Sequence, residues 1–233
     1  VRVFLTLLGR ETTALFVSPI AWAVIAVFLL LMGYTFSMNL FVAKTASLTH
    51  IFFQASALLV LIVPILTMRQ FAEERRGGTL ELLLTAPVPE YAVVLAKFGA
   101  AWAVTLAMIA LTAVYAIVLG LYGTPDWGPV YAGYAGLVAI SAALVSLGVM
   151  VSALTANQIV AAIVTLGLFT MLWMIDTLAS QLPAGIDNWL IGLSLLAHIT
   201  PFATGALYTS DLGFFVALTL AGLFFATRAL GRR

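Results

Sequence analysis

Residues 68–90 read Met-Arg-Gln-Phe-Ala-Glu-Glu-Arg-Arg-Gly-Gly-Thr-Leu-Glu-Leu-Leu-Leu-Thr-Ala-Pro-Val-Pro-Glu, and the fold is decided by what this stretch does. It holds Arg69, Glu73, Glu74, Arg75, Arg76, Glu81 and Glu90, with Lys97 just beyond, in a chain of 233 residues that has ten Lys/Arg and nine Asp/Glu in all. The flanks are close to uniformly apolar, so here the chain meets water or another protein. Gly77-Gly78 breaks the preceding helix. Thr79 then caps a new one, and Glu81 falls in its positive first turn. Pro87 and Pro89 stop it, because the residue before a proline avoids the helical region. The spacing predicts a two-turn helix with Leu80, Leu83 and Leu84 on one face and Leu82 beside them. So short a helix does not stand alone in water, where roughly 12–15 residues are needed. It needs a surface. Each buried leucine contributes on the order of 2 kcal/mol before ordering costs. Two surfaces fit: lipid headgroups under a simple cytoplasmic hairpin, or a groove in a soluble partner.

Composition sets the class. At 64% hydrophobic and 8% charged, the chain is no ordinary soluble domain, for which about 25% charged is usual. It reads as an all-α integral membrane protein, one transmembrane domain over residues 1–233. Zero cysteines exclude disulfides, thiolate metal sites and a cysteine nucleophile. The net charge of +1 says nothing about nucleic acid, but no basic patch is large enough to track phosphates, so no nucleic-acid partner is expected.

Working outward, residues 1–19 mix Arg2, Arg10 and Glu11 with apolar positions and end at Ser18-Pro19, the pattern of an amphipathic interfacial helix. The apolar run 20–40 is too long for a signal-peptide core and long enough to span. Further spans are expected at 51–68, kinked by Pro64, and at 91–122. No charge occurs between Asp126 and Asp176, and those 49 residues exceed one crossing. Thr155-Ala156-Asn157-Gln158 divides them into spans at 131–154 and 159–175. The first of these is rich in Gly and Ala, which let helix backbones approach closely. Residues 179–210 are interrupted by Pro183, Gly185, Pro201 and Gly205 around an apolar stretch, 189–199, too short to cross. That reads as an external re-entrant segment or a helix resting on the outer leaflet. The sixth span is 212–230.

Orientation follows from charge. With six spans and the N-terminus inside, Arg2, Arg10, Arg69, Arg75, Arg76, Lys97, Arg228, Arg232 and Arg233 share one side, and Lys44 alone lies opposite. By the positive-inside rule both termini and the 69–90 segment are cytoplasmic.

The order Phe71-Ala-Glu-Glu-Arg75, Gly78-Thr-Leu-Glu-Leu-Leu-Leu84, Pro87, Ala96-Lys97-Phe98 resembles the coupling segment of type 2 ABC exporter permeases. Asp126-Trp-Gly-Pro129 with Gly133-Tyr134, Asn157-Gln-Ile-Val160, residues 193–202 with His198, and 211–215 extend the likeness, nearest to the gliding-motility-type permeases. The resemblance implies a permease of the bacterial inner membrane that pairs with a second permease and a dimer of separate ATPase subunits. Those subunits bind ATP and Mg; this chain binds no cofactor and is not itself an enzyme. It further implies that Glu73, Glu74, Arg75, Thr79, Leu80, Glu81, Leu82, Leu83 and Leu84 couple to the ATPase. In related permeases the stretch before the sixth span caps the pathway from outside, which points to Leu195, His198, Pro201 and Phe202 as gate residues.

The residues themselves allow little other chemistry. No Gly-x-x-x-x-Gly-Lys-Ser/Thr is present, so ATP phosphates are not cradled here. His50 and His198 have no ligand spacing, and no metal site is expected. Asp176 falls near the outer interface rather than at mid-membrane, so an ion-driven carrier lacks the usual buried acid. Arg69 and Glu73, four apart, are placed to pair. Tyr91, Trp102, Tyr122, Trp127 and Tyr131 read as interfacial belt anchors. Two further readings stay open: a membrane subunit that transmits force to an extracytoplasmic partner, and a non-transporting scaffold.

Overall fold

A computed structural model describes residues 2–43, 47–78, 89–123, 125–179 and 186–231. The regular structure among them is entirely helical. In chain order the helices are α1 (Arg2–Val17), α2 (Pro19–Met38), α3 (Thr49–Thr67), α4 (Arg69–Arg76), α5 (Glu90–Leu111), α6 (Ala113–Tyr122), α7 (Trp127–Leu154), α8 (Gln158–Ala179), α9 (Ile186–Ile191), α10 (Leu195–Thr204) and α11 (Thr209–Gly231). A π-helical turn, Asn39–Ala43, prolongs α2.

Six rods are long and apolar enough to cross a membrane: Pro19–Phe41, Thr49–Arg76, Glu90–Tyr122, Trp127–Leu154, Gln158–Ala179 and Thr209–Gly231. They coincide with the six runs read from the sequence. The fourth, α7, is the hub: 72% of its apolar window is buried, against 22% for α8 and 17% for α11. Glycines put it there. A Cβ at Gly133 would meet the Phe52 ring at 2.3 Å, and one at Gly148 would meet Thr67 Oγ1 at 2.2 Å. Both contacts lie on α3, so two α3 side chains seat directly on the glycine backbone of α7.

Two spans are broken rather than bent at proline. Met68 separates α3 from α4, four residues beyond Pro64. The backbone N–H groups of Phe71 and Ala72 donate to Ser152 Oγ at 3.0 and 3.2 Å, and the same hydroxyl donates to Met68 O at 3.0 Å. One α7 serine thus satisfies the groups that the break frees, as a buried backbone requires. Thr112 plays a local version of this role between α5 and α6, its hydroxyl donating to Ile109 O at 2.6 Å.

Residues 189–199 do not form one helix. Ser194 caps α10, its Oγ accepting from Ala197 N–H at 3.1 Å, so a new helix starts where a continuous one was expected. That helix runs through Pro201 and ends at Gly205, whose φ of 98° only glycine adopts easily. Pro129 abuts Gly205 closely, a Cβ there meeting Pro129 Cγ at 2.8 Å. The chain therefore has two ends. One gathers the α3–α4 break, the start of α5 and the ends of α7 and α11; the other gathers the start of α7 with α10 and the start of α11.

Candidate functional site

At the first end the charges are not spread over a solvated surface. Lys97 lies on the second turn of α5, its side chain 3% exposed. Its ammonium donates to Glu74 Oε1 of α4 at 2.8 Å and to Glu11 Oε2 of α1 at 3.0 Å. The Phe71 ring lies 5.2 Å from the same nitrogen, within cation–π range. One buried cation thus ties three helices together. Alongside, a cavity of about 320 Å³ is lined by Glu11, Ser18, Arg69, Gln70, Glu73 and Lys97 among others.

The helix α1 is held to this cluster along its length. Gly99, two residues past Lys97, admits Leu8, whose Cδ1 would lie 2.9 Å from a Cβ at that position. Arg69 Nη2 donates to Ser18 Oγ at 2.9 Å, at the α1–α2 corner. The guanidinium is therefore spent on the corner, and no Arg69–Glu73 ion pair forms. Trp22 Nε1 donates to Phe16 O at 2.7 Å and closes the same corner.

Of the residues expected to couple to an ATPase, Glu73 is exposed, and Glu74 and Arg75 are half-buried on α4. Thr79, Leu80, Glu81, Leu82, Leu83 and Leu84 lie outside the described residues. The flanks of that stretch are described: Gly78, with φ of 69°, and Pro89, which leads into α5.

At the second end, His198 Nδ1 lies 2.8 Å from Asp211 Oδ1, and Nε2 lies 3.2 Å from the Gly192 carbonyl. The ring stacks on Phe214 with centroids 3.9 Å apart. This side chain stitches α10, the turn before it and the sixth span. Pro201 is half-buried. Leu195 and Phe202 are buried within this one chain, Phe202 filling the space over Gly136. Phe202 thus braces α10 on α7, and neither side chain faces outward. The exposed positions of this helix are Thr200 and Thr204, and Trp189, Leu207 and Tyr208 are exposed on either side of it.

The model of the family described as ABC-2 family transporter protein matches residues 6–226. The chain belongs to that family. It is thus the membrane subunit of an ABC transporter, a class that works with an ABC ATPase and another permease subunit and is generally not catalytic itself. No curated protein matches the sequence.

Sequence reasoning missed two residues of the permease. Lys97 counted in the sequence only as a motif residue and a cytoplasmic charge, although a lysine inside an apolar span must find acids, and Glu11 and Glu74 were available. Ser152 gave no signal, being one small residue on a helix full of them. Trp102 was assigned to an aromatic belt. It instead stacks on Phe98 and donates from Nε1 to Ser141 Oγ at 3.0 Å, as a helix–helix contact within the bundle.

Proposed function

We propose that this permease belongs to an ATP-driven exporter, in which separate ATPase subunits, holding ATP and Mg, close and push on residues 80–85. The supporting observation is the Glu11–Lys97–Glu74 clasp. It joins α1, α4 and α5 at the two helices that border the 79–88 stretch, so a displacement there moves three helices as a unit. The second permease is a further copy or a relative. The force-transmitting alternative uses the same clasp and differs in having no exported substrate. An ion-driven carrier has less support, because the buried charges of the described residues, Lys97 and Asp211, lie toward the two ends of their spans. The nearer likeness to gliding-motility-type permeases rests on the sequence blocks alone.

Membrane placement follows the charge asymmetry, with the clasped end cytoplasmic and α10 external in a bacterial inner membrane. In this reading residues 184–210 close the pathway from outside. The chain lacks cysteine, so single cysteines report cleanly. Ser47→Cys and Thr200→Cys, both at exposed positions, should react with an impermeant maleimide added outside intact cells, and Asn157→Cys should react after permeabilisation alone. The reverse pattern overturns the placement.

The docking role is tested by Leu83→Asp. A charge in an apolar contact costs several kcal/mol when unpaired, so the permease should insert normally yet lose ATPase binding or stimulated turnover. Coupled ATPase activity at the wild-type level in both Leu83→Asp and Glu81→Arg would leave 80–85 as a plain loop.

A further inference from the structure

At the clasped end, on the side away from α1, a second and larger cavity of about 980 Å³ opens between α4, the start of α5 and the ends of α7 and α11. Its size is at the upper end for small-molecule sites, which run roughly 300–1,000 Å³. The lining divides by chemistry. Arg228 and Arg75 supply two guanidinium groups and Glu90 one carboxylate, while Met150, Leu154 and Phe225 form an apolar wall.

The details favour an anion with a long apolar part. Arg228 lies in the last turn of α11, its guanidinium 5.3 Å from the Phe224 ring centroid. That contact leaves the N–H edge available for a phosphate, which a planar guanidinium grips in bidentate fashion. Arg75, engaged within the chain as well, adds a second positive charge on the facing element. Glu90 is drawn toward the end of α11, where a Cβ on Gly231 would meet its Oε2 at 2.6 Å. The net charge of the lining is therefore positive. Below it, Leu154 and Phe225 are 62% and 58% exposed at the end of two membrane spans, where acyl chains begin.

We infer that this cavity is a site for one anionic phospholipid, its phosphate on Arg228 and Arg75 and its acyl chains along Leu154 and Phe225. A free phosphate satisfies only the upper half of the lining. A nucleotide has no glycine-rich loop to meet it.

The test uses the purified full chain in neutral detergent, titrated with phosphatidylglycerol, phosphatidylcholine or inorganic phosphate. Readouts are the thermal unfolding midpoint and lipid retained in native mass spectrometry. Phosphatidylglycerol should raise the midpoint and stay bound as a single copy, as a ligand of the native state does. Loss of a charge-assisted hydrogen-bond donor in Arg228→Gln should weaken this about tenfold. Arg228→Lys should fall between, and Arg10→Gln, on α1, should match the wild type. Phe225→Ala should weaken phosphatidylglycerol without altering any response to inorganic phosphate, and it keeps the test decisive if Arg228→Gln does not fold. Equal effects of the two lipids, an unchanged response in Arg228→Gln and Phe225→Ala, or inorganic phosphate matching phosphatidylglycerol would each overturn the proposal. So would loss of the retained lipid on binding of the ATPase partner, which would make the cavity a protein contact.

Discussion

Replacing Lys97 with methionine should destabilise the permease by about 3 kcal/mol while leaving its packing volume nearly unchanged. The ammonium is buried, and its partners Glu11 and Glu74 keep 17% and 25% side-chain exposure. Removing the cation leaves two carboxylates facing each other across the gap, with limited access to water. Breaking a buried pair from one side costs more than the pair contributes, because the uncompensated charge remains. The partial exposure of the acids places the loss at the lower end of the usual range. Thermal unfolding of the purified chain measures it. The triple variant Lys97→Met, Glu11→Gln, Glu74→Gln separates stability from coupling. With all three charges of the clasp removed it should regain most of the lost stability. If the clasp carries motion from residues 80–85, that stable variant should bind the ATPase yet show no stimulated turnover. Normal stimulation would reduce the clasp to a structural tie.

The six spans were legible because each is a long apolar run with a physical stop. Asn157 is an example: its Oδ1 accepts from Ile159 N–H at 2.9 Å and starts α8 where the uncharged stretch had to divide. Asp126 likewise caps α7 through Gly128 N–H at 3.1 Å. Such stops are local, so neighbouring residues announce them. The breaks inside spans were harder to read. Pro64 predicted a kink, but the interruption sits at Met68, because the groups freed there find Ser152 on another helix. No property of residues 60–70 alone encodes a hydroxyl 84 positions away.

The candidate site divides in the same way. Membership in a motif placed Glu74 at the cytoplasmic end, and the structure gives it a partner on α5. Glu11 was read as one charge on an interfacial helix, whereas it is paired with Lys97 across 86 positions. A lone charge in an apolar sequence signals that a partner exists without saying where. At the other end, the resemblance offered His198 as a gate residue of the external segment. Its actual partner, Asp211, belongs to the sixth span, so that segment is pinned to a span rather than resting beside it.

Gly148→Val should be the most damaging single substitution in the membrane interior. A Cβ at this position would sit 2.2 Å from Thr67 Oγ1, 2.8 Å from its Cβ and 3.0 Å from its Cγ2. Thr67 cannot turn aside. It is fully buried, β-branched, and held by its own hydroxyl donating to Val63 O at 2.9 Å. The helices must therefore separate. Separation at this level also pulls Ser152, one turn along α7, away from the Met68 break it satisfies. Overpacking alone costs about 1–3 kcal/mol, and exposing the freed N–H groups of Phe71 and Ala72 in an apolar interior adds about 1–3 kcal/mol more. Gly148→Ala should show a smaller loss of the same kind. Thr67→Ala beside Gly148→Ala removes the nearest and third-nearest obstructing atoms and should recover much of the loss, whereas Thr67→Ala should not rescue Gly133→Ala, which meets Phe52 instead. The measurement is the yield and unfolding midpoint of each purified variant. Equal midpoints for Gly148→Ala with and without Thr67→Ala would show that the α3–α7 crossing is not set by this contact.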